Sequence, residues 1–537
     1  MSFGRVRGGR PRAPLPDLCT AALVTGALAV FFALALPPHG DASAHFYRTF
    51  LVRRGDFLWD NYWYGGEYPL ASYSLLYYLP AALLGNTVVA VAAAVAGSVV
   101  FAAVAWDAWG EDARWAARLF SVFAVEPLLR GEYPFALAVP FFLASLGFLR
   151  RGRTRLGAVS AALTLGISPL AFAFLCLAAA GLFLARPRLD RWTVASSLAL
   201  GFVVLCGGAL SWSFGTPWSG YPFPTSALVR ILVVSGLGVA LASAAAPRWS
   251  GGGIYAAWGL AGLVGFLVPT PIGANLDRPA FLLVPLLLVP AARLAPRAQT
   301  VAAMGVFLAL TLSTGTLQSS LASAFVPHEN EARLWRPVVG FLRRHDSPSF
   351  RVEVVPTAGH WEAYFLPRAG IPIARGWYRQ LDLAANGLFY ARRLSRSRYV
   401  GWLRRMAVRY VVLPRAESLD GRGATAEARL LRSGASGLRL VARTRAWSYY
   451  ELRSATPLLR PARLGTIRSF GLDRITGVVR RAGAYFLDVT YMRWWDASPR
   501  GLRVTRAPDG MTILHVPRPG RFRLRAGTVL PDVSDAF

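Results

Sequence analysis

Residues 18–50 read LCTAALVTGALAVFFALALPPHGDASAHFYRTF. The first nineteen, Leu18 to Leu36, are apolar or small, and a run of about 20 such residues is long enough to cross the hydrocarbon core of a bilayer. Immediately after it stand His39, Asp41 and His45. Polar groups at the mouth of a span either make an ordinary solvated loop or begin a site.

The same alternation continues outward from this stretch. As far as Ser320, long runs of Leu, Val, Ala, Phe and Gly are broken by short polar segments, and beyond Pro327 no run is long enough to span. This pattern predicts a polytopic α-helical membrane protein with a water-facing tail. We expect a transmembrane domain over 1–326, an α/β domain over 327–455 and a β-sandwich-like domain over 456–537. In the tail, RVEVVP, RYVVLP, LRLVART and WSYYELR read as strands of a buried sheet, with EARLWRPVVGFLRRH a helix among them. After 456 the pattern is strand and turn, and Asp509-Gly510 marks a hairpin.

Charge orients the helical part. Lysine is absent, so arginine supplies all the basic side chains, and the formal net charge is +31. So complete a bias points to a GC-rich bacterial genome. Clusters at Arg5–Arg12, Arg150–Arg155 and Arg186–Arg191, with Arg248, Arg293 and Arg297, belong on the cytoplasmic side. One threading satisfies this. It has about 11 spans, near 18–36, 86–106, 115–129, 132–149, 155–167, 169–185, 192–213, 225–246, 252–269, 278–295 and 298–320. The basic start reads as the flank of an uncleaved first helix. An odd number of spans places the tail, and a long first loop over 37–85, outside the cytoplasmic membrane. Residues 69–85, with three tyrosines and two prolines, suit an interfacial helix better than a span.

Residues 321–537 hold 37 Arg against 16 Asp plus Glu. With no nucleic-acid-binding motif beside it, this charge suits anionic lipid headgroups or envelope polymers rather than nucleic acid; arginine-rich composition without a specific partner explains it equally. Cys19, Cys176 and Cys206 fall in apolar runs with no CxxC spacing, which predicts buried thiols rather than a disulfide framework. No phosphate-binding glycine loop follows a strand, no GxSxG elbow occurs, and the absence of internal repeats argues against a transporter.

On this threading the outer face gathers Asp41, His45, Asp56, Asp60 and Glu67 from the first loop, Arg130 and Glu132 from RGEYPF, the stretch 211–224, and Asp277 with Arg278. Ionisable groups at membrane depth are costly and usually face a cavity or partner. Asp41 is the candidate catalytic residue, with solvation or helix capping as its ordinary alternative. His45, four residues on, is placed to orient Asp41 or to touch substrate. Arg130, Glu132 and Arg278 are candidate substrate-binding groups, Arg278 also being next to Asp277 as a local ion pair. Trp63 is a candidate platform for a sugar ring, beside the commoner duty of interfacial aromatics as anchors. A divalent metal on His39, Asp41 and His45 is a further use of those donors.

The stretch GDASAHFYRTFLVRRGDFLWDNYWYGGEYPLASYSLLYYLP, 40–80, resembles the first periplasmic loop of GT-C membrane glycosyltransferases. Within that superfamily the chain is most similar to bacterial membrane proteins labelled as related to 6-pyruvoyl-tetrahydropterin synthase. The carrying features are Gly40-Asp41 followed by His45, the G-D-F-x-W of 55–59, Gly66 with Pro69, residues 126–153 and ARGWYRQLDLAANGLFY at 374–390. The resemblance implies transfer of a sugar from a polyprenyl-phosphate donor in the membrane to an envelope glycan, lipid or protein acceptor, with Asp41 as general base. It also implies inversion at the anomeric carbon. Many members pair two acids in this loop, whereas Asp41 stands alone, which weighs against metal-dependent chemistry. The competing expectation is a non-catalytic scaffold or export component whose tail binds envelope polymer.

Overall fold

The computed structural model describes residues 13–527 except 70–72, 186–200, 202–219, 246–250, 316–317, 319–321, 323–328 and 416–417. The chain forms two compact units: Met1–His39 with Tyr73–Val326, and Gly40–Ser72 with Pro327–Phe537. The stretch that opened the sequence reading is therefore divided between them, directly after His39.

The helical unit has the surface of a lipid-immersed protein. Leu34, Leu83, Leu267, Met304 and Phe307 are among many large apolar side chains it exposes, whereas among the described residues of the mixed unit the exposed large hydrophobics are Tyr390 and Leu440. In water such a coat aggregates; in hydrocarbon it is the solvated state, while each helix satisfies its own backbone groups. The chain is a multi-pass membrane protein.

Among the described residues, five helical stretches are long and apolar enough to cross a membrane: Leu15–Ala35, Asn86–Leu129, Tyr133–Arg150, Thr225–Ala244 and Gly273–Ala291. Thr154–Ile167, Pro169–Phe183 and Gly252–Leu267 are shorter apolar helices. These helices do not confirm the expected count of about 11, and the described residues depart from the expected bounds in particular places. The expected span 115–129 is the helix Arg114–Phe123, which follows Asn86–Trp109 through a turn at Gly110. Its ten residues rise about 15 Å, half a bilayer core. It buries Ala116, Ala117 and Phe120 and turns Arg114 and Arg118 toward Asp17. Prolines at 285 and 290 divide the expected span 278–295 into the short helices Ala280–Leu286 and Leu288–Ala291. Residues 192–213 lie outside the described residues. The segment after Tyr73 forms the helix Tyr78–Leu84, too short to span. Cys19 and Cys176 are free thiols, Cys19 exposed, and Cys206 lies outside the described residues.

The mixed unit begins with a four-stranded sheet, ordered β1 (Arg351–Val354), β2 (Val408–Pro414), β4 (Trp447–Glu451), β3 (Arg439–Arg443), in which only β1 and β2 run parallel. Helices Arg396–Arg405 and Gly421–Arg432 cover it, packing Tyr399, Trp402, Leu403, Ala428 and Leu431 against Val408, Val411 and Leu413. Two four-stranded sheets follow. The first is β10 (Arg503–Arg506), β11 (Met511–Val516), β8 (Gly483–Thr490), β5 (Leu459–Arg460); the second is β6 (Gly465–Phe470), β7 (Arg474–Val479), β12 (Gly520–Ala526), β9 (Trp495–Ser498). The β10–β11 turn holds Gly510 at φ 86°, and the Asp509 carboxylate accepts the Met511 N–H at 3.1 Å.

Gly40–Ser72 is stitched into this unit by backbone groups. Its helix Ala42–Arg54 stops at Gly55, whose left-handed φ of 78° lets its N–H bond back to Leu51 and Val52. Ile373 donates to the Tyr62 carbonyl, Asn61 to Leu472, and Thr490 to Gly65. What reads as a loop between two spans is thus a structural part of the tail unit.

Candidate functional site

In the helical unit the short helix Glu126–Leu129 ends at Arg130, and Gly131, at φ 67°, turns the chain so that Glu132 opens the next helix. This turn brings Arg130 Nε to 2.8 Å from Glu132 Oε1, with Glu126 Oε1 3.3 Å from Arg130 Nη1. Arg278 Nε approaches the same Glu132 oxygen at 3.2 Å and donates to Asn275 Oδ1 at 3.1 Å. Three expected substrate-binding residues, Arg130, Glu132 and Arg278, are therefore in one cluster, with Glu132 and Arg278 both buried.

Asp277 pairs not with its neighbour Arg278 but with Arg230, at 2.8 Å. Arg230 was missed by the sequence reading, although a lone arginine inside TSALVRILVVSG is the signal that an intramembrane charge has a partner. The Arg278 guanidinium lies 5.6 Å from the centre of the Phe135 ring, and Phe135 packs edge-on against Phe174. Phe174 and Pro279, the residue after Arg278, line a narrow apolar groove together with Phe142, Leu146, Trp258 and Leu286. Arg278 is thus next in sequence to one wall residue of this groove and reaches another, Phe174, through Phe135. His39 lines a separate cleft with Pro37, Leu128 and Tyr133, and burial lowers its pKa.

In the mixed unit, Asp41 is the residue before the helix Ala42–Arg54, half-buried, and its side chain makes no capping bond. The backbone bond from His45 N to Asp41 O, at 3.3 Å, links the two residues; the buried His45 ring lies 6.2 Å from that of Tyr378. The Gly40 carbonyl accepts the Trp377 indole N–H at 3.3 Å. Trp377 is in turn held face to face with His360, centroids 3.3 Å apart and 9° from parallel, while Arg379 lies 4.8 Å from its ring centre. His360 sits between Glu362 (3.2 Å) and Asp420 (3.4 Å). Burial alone lowers a histidine pKa, but its bonds to Asp420 and Glu362 reverse this and raise His360 to about 9. Burial likewise pushes Asp420 up, yet His360 and the bidentate Arg379 hold its carboxylate below the usual range. The RGWYR of 375–379 therefore clamps the backbone next to Asp41, a role that no spacing in the sequence reveals.

Trp63 is placed differently from its expected duty. It is fully buried, donates to the Ala363 carbonyl at 3.0 Å and stacks on Tyr47 at 4.6 Å, so no sugar ring reaches it without repacking. Beneath it, Asp60 and Glu67 exchange backbone hydrogen bonds of 3.0 Å. Tyr47 donates to Asp60 Oδ1 at 3.0 Å, and Arg48 to Glu67 Oε1 at 2.9 Å. Burial, then the Glu67 charge, raises Asp60 to about 8. Among the described residues no group of three His, Cys, Asp or Glu side chains is close enough to hold a metal ion; His39 belongs to one unit, and Asp41 with His45 to the other.

No family model matches the chain, and no curated protein does. Among solved structures it is similar to the cryo-EM structure of the arabinofuranosyltransferase AftD from Mycobacteria, with 18% identity and a TM-score of 0.48. That similarity covers 82% of this chain and 40% of the other, so the chain spans well under half of the longer protein.

Proposed function

We propose that the chain is a GT-C-type glycosyltransferase of the bacterial cytoplasmic membrane, transferring a sugar from a polyprenyl-phosphate donor to an envelope acceptor on the outer side. The observation that carries this reading is the pair Arg130 and Arg278, sharing the Glu132 carboxylate beside an apolar groove. A lipid phosphate needs both features: hydrocarbon walls for the chain and guanidinium donors for the phosphate. Glu132 keeps the two cations in place until a phosphate competes for them.

In the proposed reaction the acceptor hydroxyl oxygen forms a bond to the anomeric carbon as the bond from that carbon to the phosphate oxygen breaks. The bonding pair leaves with the lipid phosphate, whose growing charge Arg278 and Arg130 stabilise. The hydroxyl proton passes to the Asp41 carboxylate, a contribution of about 10²–10⁴-fold. Attack opposite the leaving group inverts the anomeric centre. Asp41 is taken as the base for its place at the head of the helix Ala42–Arg54, directly after the first apolar helix. No step is routed through a metal.

The test is a transfer assay on the purified protein with a panel of lipid-linked sugars. Asp41→Asn should abolish turnover while leaving donor binding in place. If Asp41→Asn turns over normally, Asp41 is not the base. If neither protein transfers any sugar and the envelope glycan profile of cells carrying Asp41→Asn is intact, the scaffold or export reading replaces the enzymatic one.

A further inference from the structure

The helix Ala332–His345 carries Arg336, Gly340 and Arg343 at i, i+4 and i+7, which places them on one face. The two arginines stand about 10 Å apart along the axis. Facing them is Arg368, the last residue of the helix Glu362–Arg368. Between the helices lies an open groove of ≈ 920 Å³, whose floor includes Val339, Gly340 and Phe365. Three features make this more than a patch of an arginine-rich surface.

Among the described residues no acidic side chain lines the groove and no carboxylate pairs with Arg336, Arg343 or Arg368. Neutral acceptors fix two of the three: Arg343 donates to the Ala369 carbonyl at 2.9 Å and Arg368 to the Tyr364 hydroxyl at 2.7 Å. Their charges are oriented without being neutralised. Gly340 supplies the third feature. Glycine inside a helix is unfavourable, yet a Cβ at 340 would meet only Arg344 Nη1, at an ordinary 3.5 Å. Packing gives no reason for the glycine; an open groove floor does. Beside it the half-buried Phe365 is stacked on Trp335, at 6.0 Å and 20°, an aromatic backing against which the apolar face of a sugar ring packs.

We infer that this groove binds an extended anionic polysaccharide strand, one whose sugars carry carboxylate or phosphate groups. Cations on both walls read the charges, and the apolar floor takes the rings. A flat bilayer surface meets the arginine rim but not the recessed floor, so the groove shape favours a strand. The inference goes beyond the proposed transferase chemistry and does not depend on Asp41 acting as a base.

The test uses the full chain in detergent micelles, with an oligogalacturonate as probe and a neutral malto-oligosaccharide of equal length as control. The wild type should bind the acidic oligosaccharide and not the neutral one. The triple variant Arg336→Gln, Arg343→Gln, Arg368→Gln should lose about tenfold or more in affinity, since three charge-assisted contacts go together. Gly340→Leu should lose a similar factor with unchanged melting temperature, because it fills the floor without altering charge. Removing three other exposed arginines, Arg503, Arg506 and Arg521, should cost less than about twofold. Equal losses in the two triple variants overturn the inference in favour of diffuse charge. So does undiminished binding by Gly340→Leu, or dependence on the groove arginines only for an oligoglutamate peptide or for phosphatidylglycerol vesicles.

Discussion

Glu132→Gln tests the arginine cluster with two readouts of opposite sign. Glu132 is buried, and its Oε1 faces Arg130 at 2.8 Å and Arg278 at 3.2 Å. Glutamine keeps the shape and an acceptor oxygen but removes the charge. Both guanidinia lose a charged acceptor, and Arg278 is the more deeply buried of the two. Breaking a buried ion pair from one side typically costs about 3–5 kcal/mol, equivalent to a fall of about 5–8 °C in melting temperature for a unit of roughly 290 residues. The ligand-free variant should show this fall by thermal unfolding in detergent.

Affinity should move the other way. On the proposed reading a lipid phosphate has to displace Glu132 from the same donors, so Glu132→Gln should bind a polyprenyl monophosphate at least about tenfold more tightly, about 1.4 kcal/mol. Glu126→Gln, at a longer and more exposed pair, should do neither strongly. A variant that melts within about 2 °C of wild type, or binds the lipid phosphate more weakly, would refute the idea that Glu132 restrains phosphate-binding arginines.

Three further outcomes concern the mixed unit. Asp60 in the folded chain titrates near 8, against 3.8 as its ordinary value; the folded state therefore holds a proton that the unfolded chain releases, and stability falls as pH rises between those values, by up to about 1.4 kcal/mol per pH unit. Asp60→Asn should flatten that part of a melting-temperature profile between pH 5 and 8, and a variant with the wild-type slope contradicts the assignment. His360, held near 9 by Glu362 and Asp420 against an ordinary 6.5, contributes stability in full below pH 6.5 that is lost as pH rises through 9, so His360→Gln should destabilise most at pH 6 and least above pH 9. Gly376→Ala drives a Cβ into the Trp63 ring and should cost about 1–3 kcal/mol by overpacking, readable as a lowered denaturation midpoint; a neutral effect means Trp63 shifts freely.

Local pattern carried much of the fold. The apolar runs near 18–36, 132–149 and 225–246 became the helices Leu15–Ala35, Tyr133–Arg150 and Thr225–Ala244, because an apolar segment in lipid must satisfy its backbone within itself. The four strand-like stretches from 351 to 453 are β1 to β4, and EARLWRPVVGFLRRH holds the helix Ala332–His345; their periodicity is a property of neighbouring residues. Hydropathy does not mark the turn at Gly110, after which the next α-helix is limited to Arg114–Phe123.

The site divides along the same line. That Arg130, Glu132 and Arg278 are costly charges in apolar surroundings was legible from residue type, as was the lone Arg230 once its helix is recognised. Which acid meets which arginine was not: the neighbours Asp277 and Arg278 have different partners, since pairing follows how helices rotate against each other. Nor could the sequence tell that Trp63 is core, that His360 and Trp377 brace Gly40, or that Gly40–Ser72 packs with residues more than 250 positions later. Sequence alone determined the helices, strands and charged residues, because these follow from local burial and backbone satisfaction. Tertiary structure decided the ion pairs, the clamp beside Asp41 and the basic groove, because long-range contact geometry leaves no period in the chain.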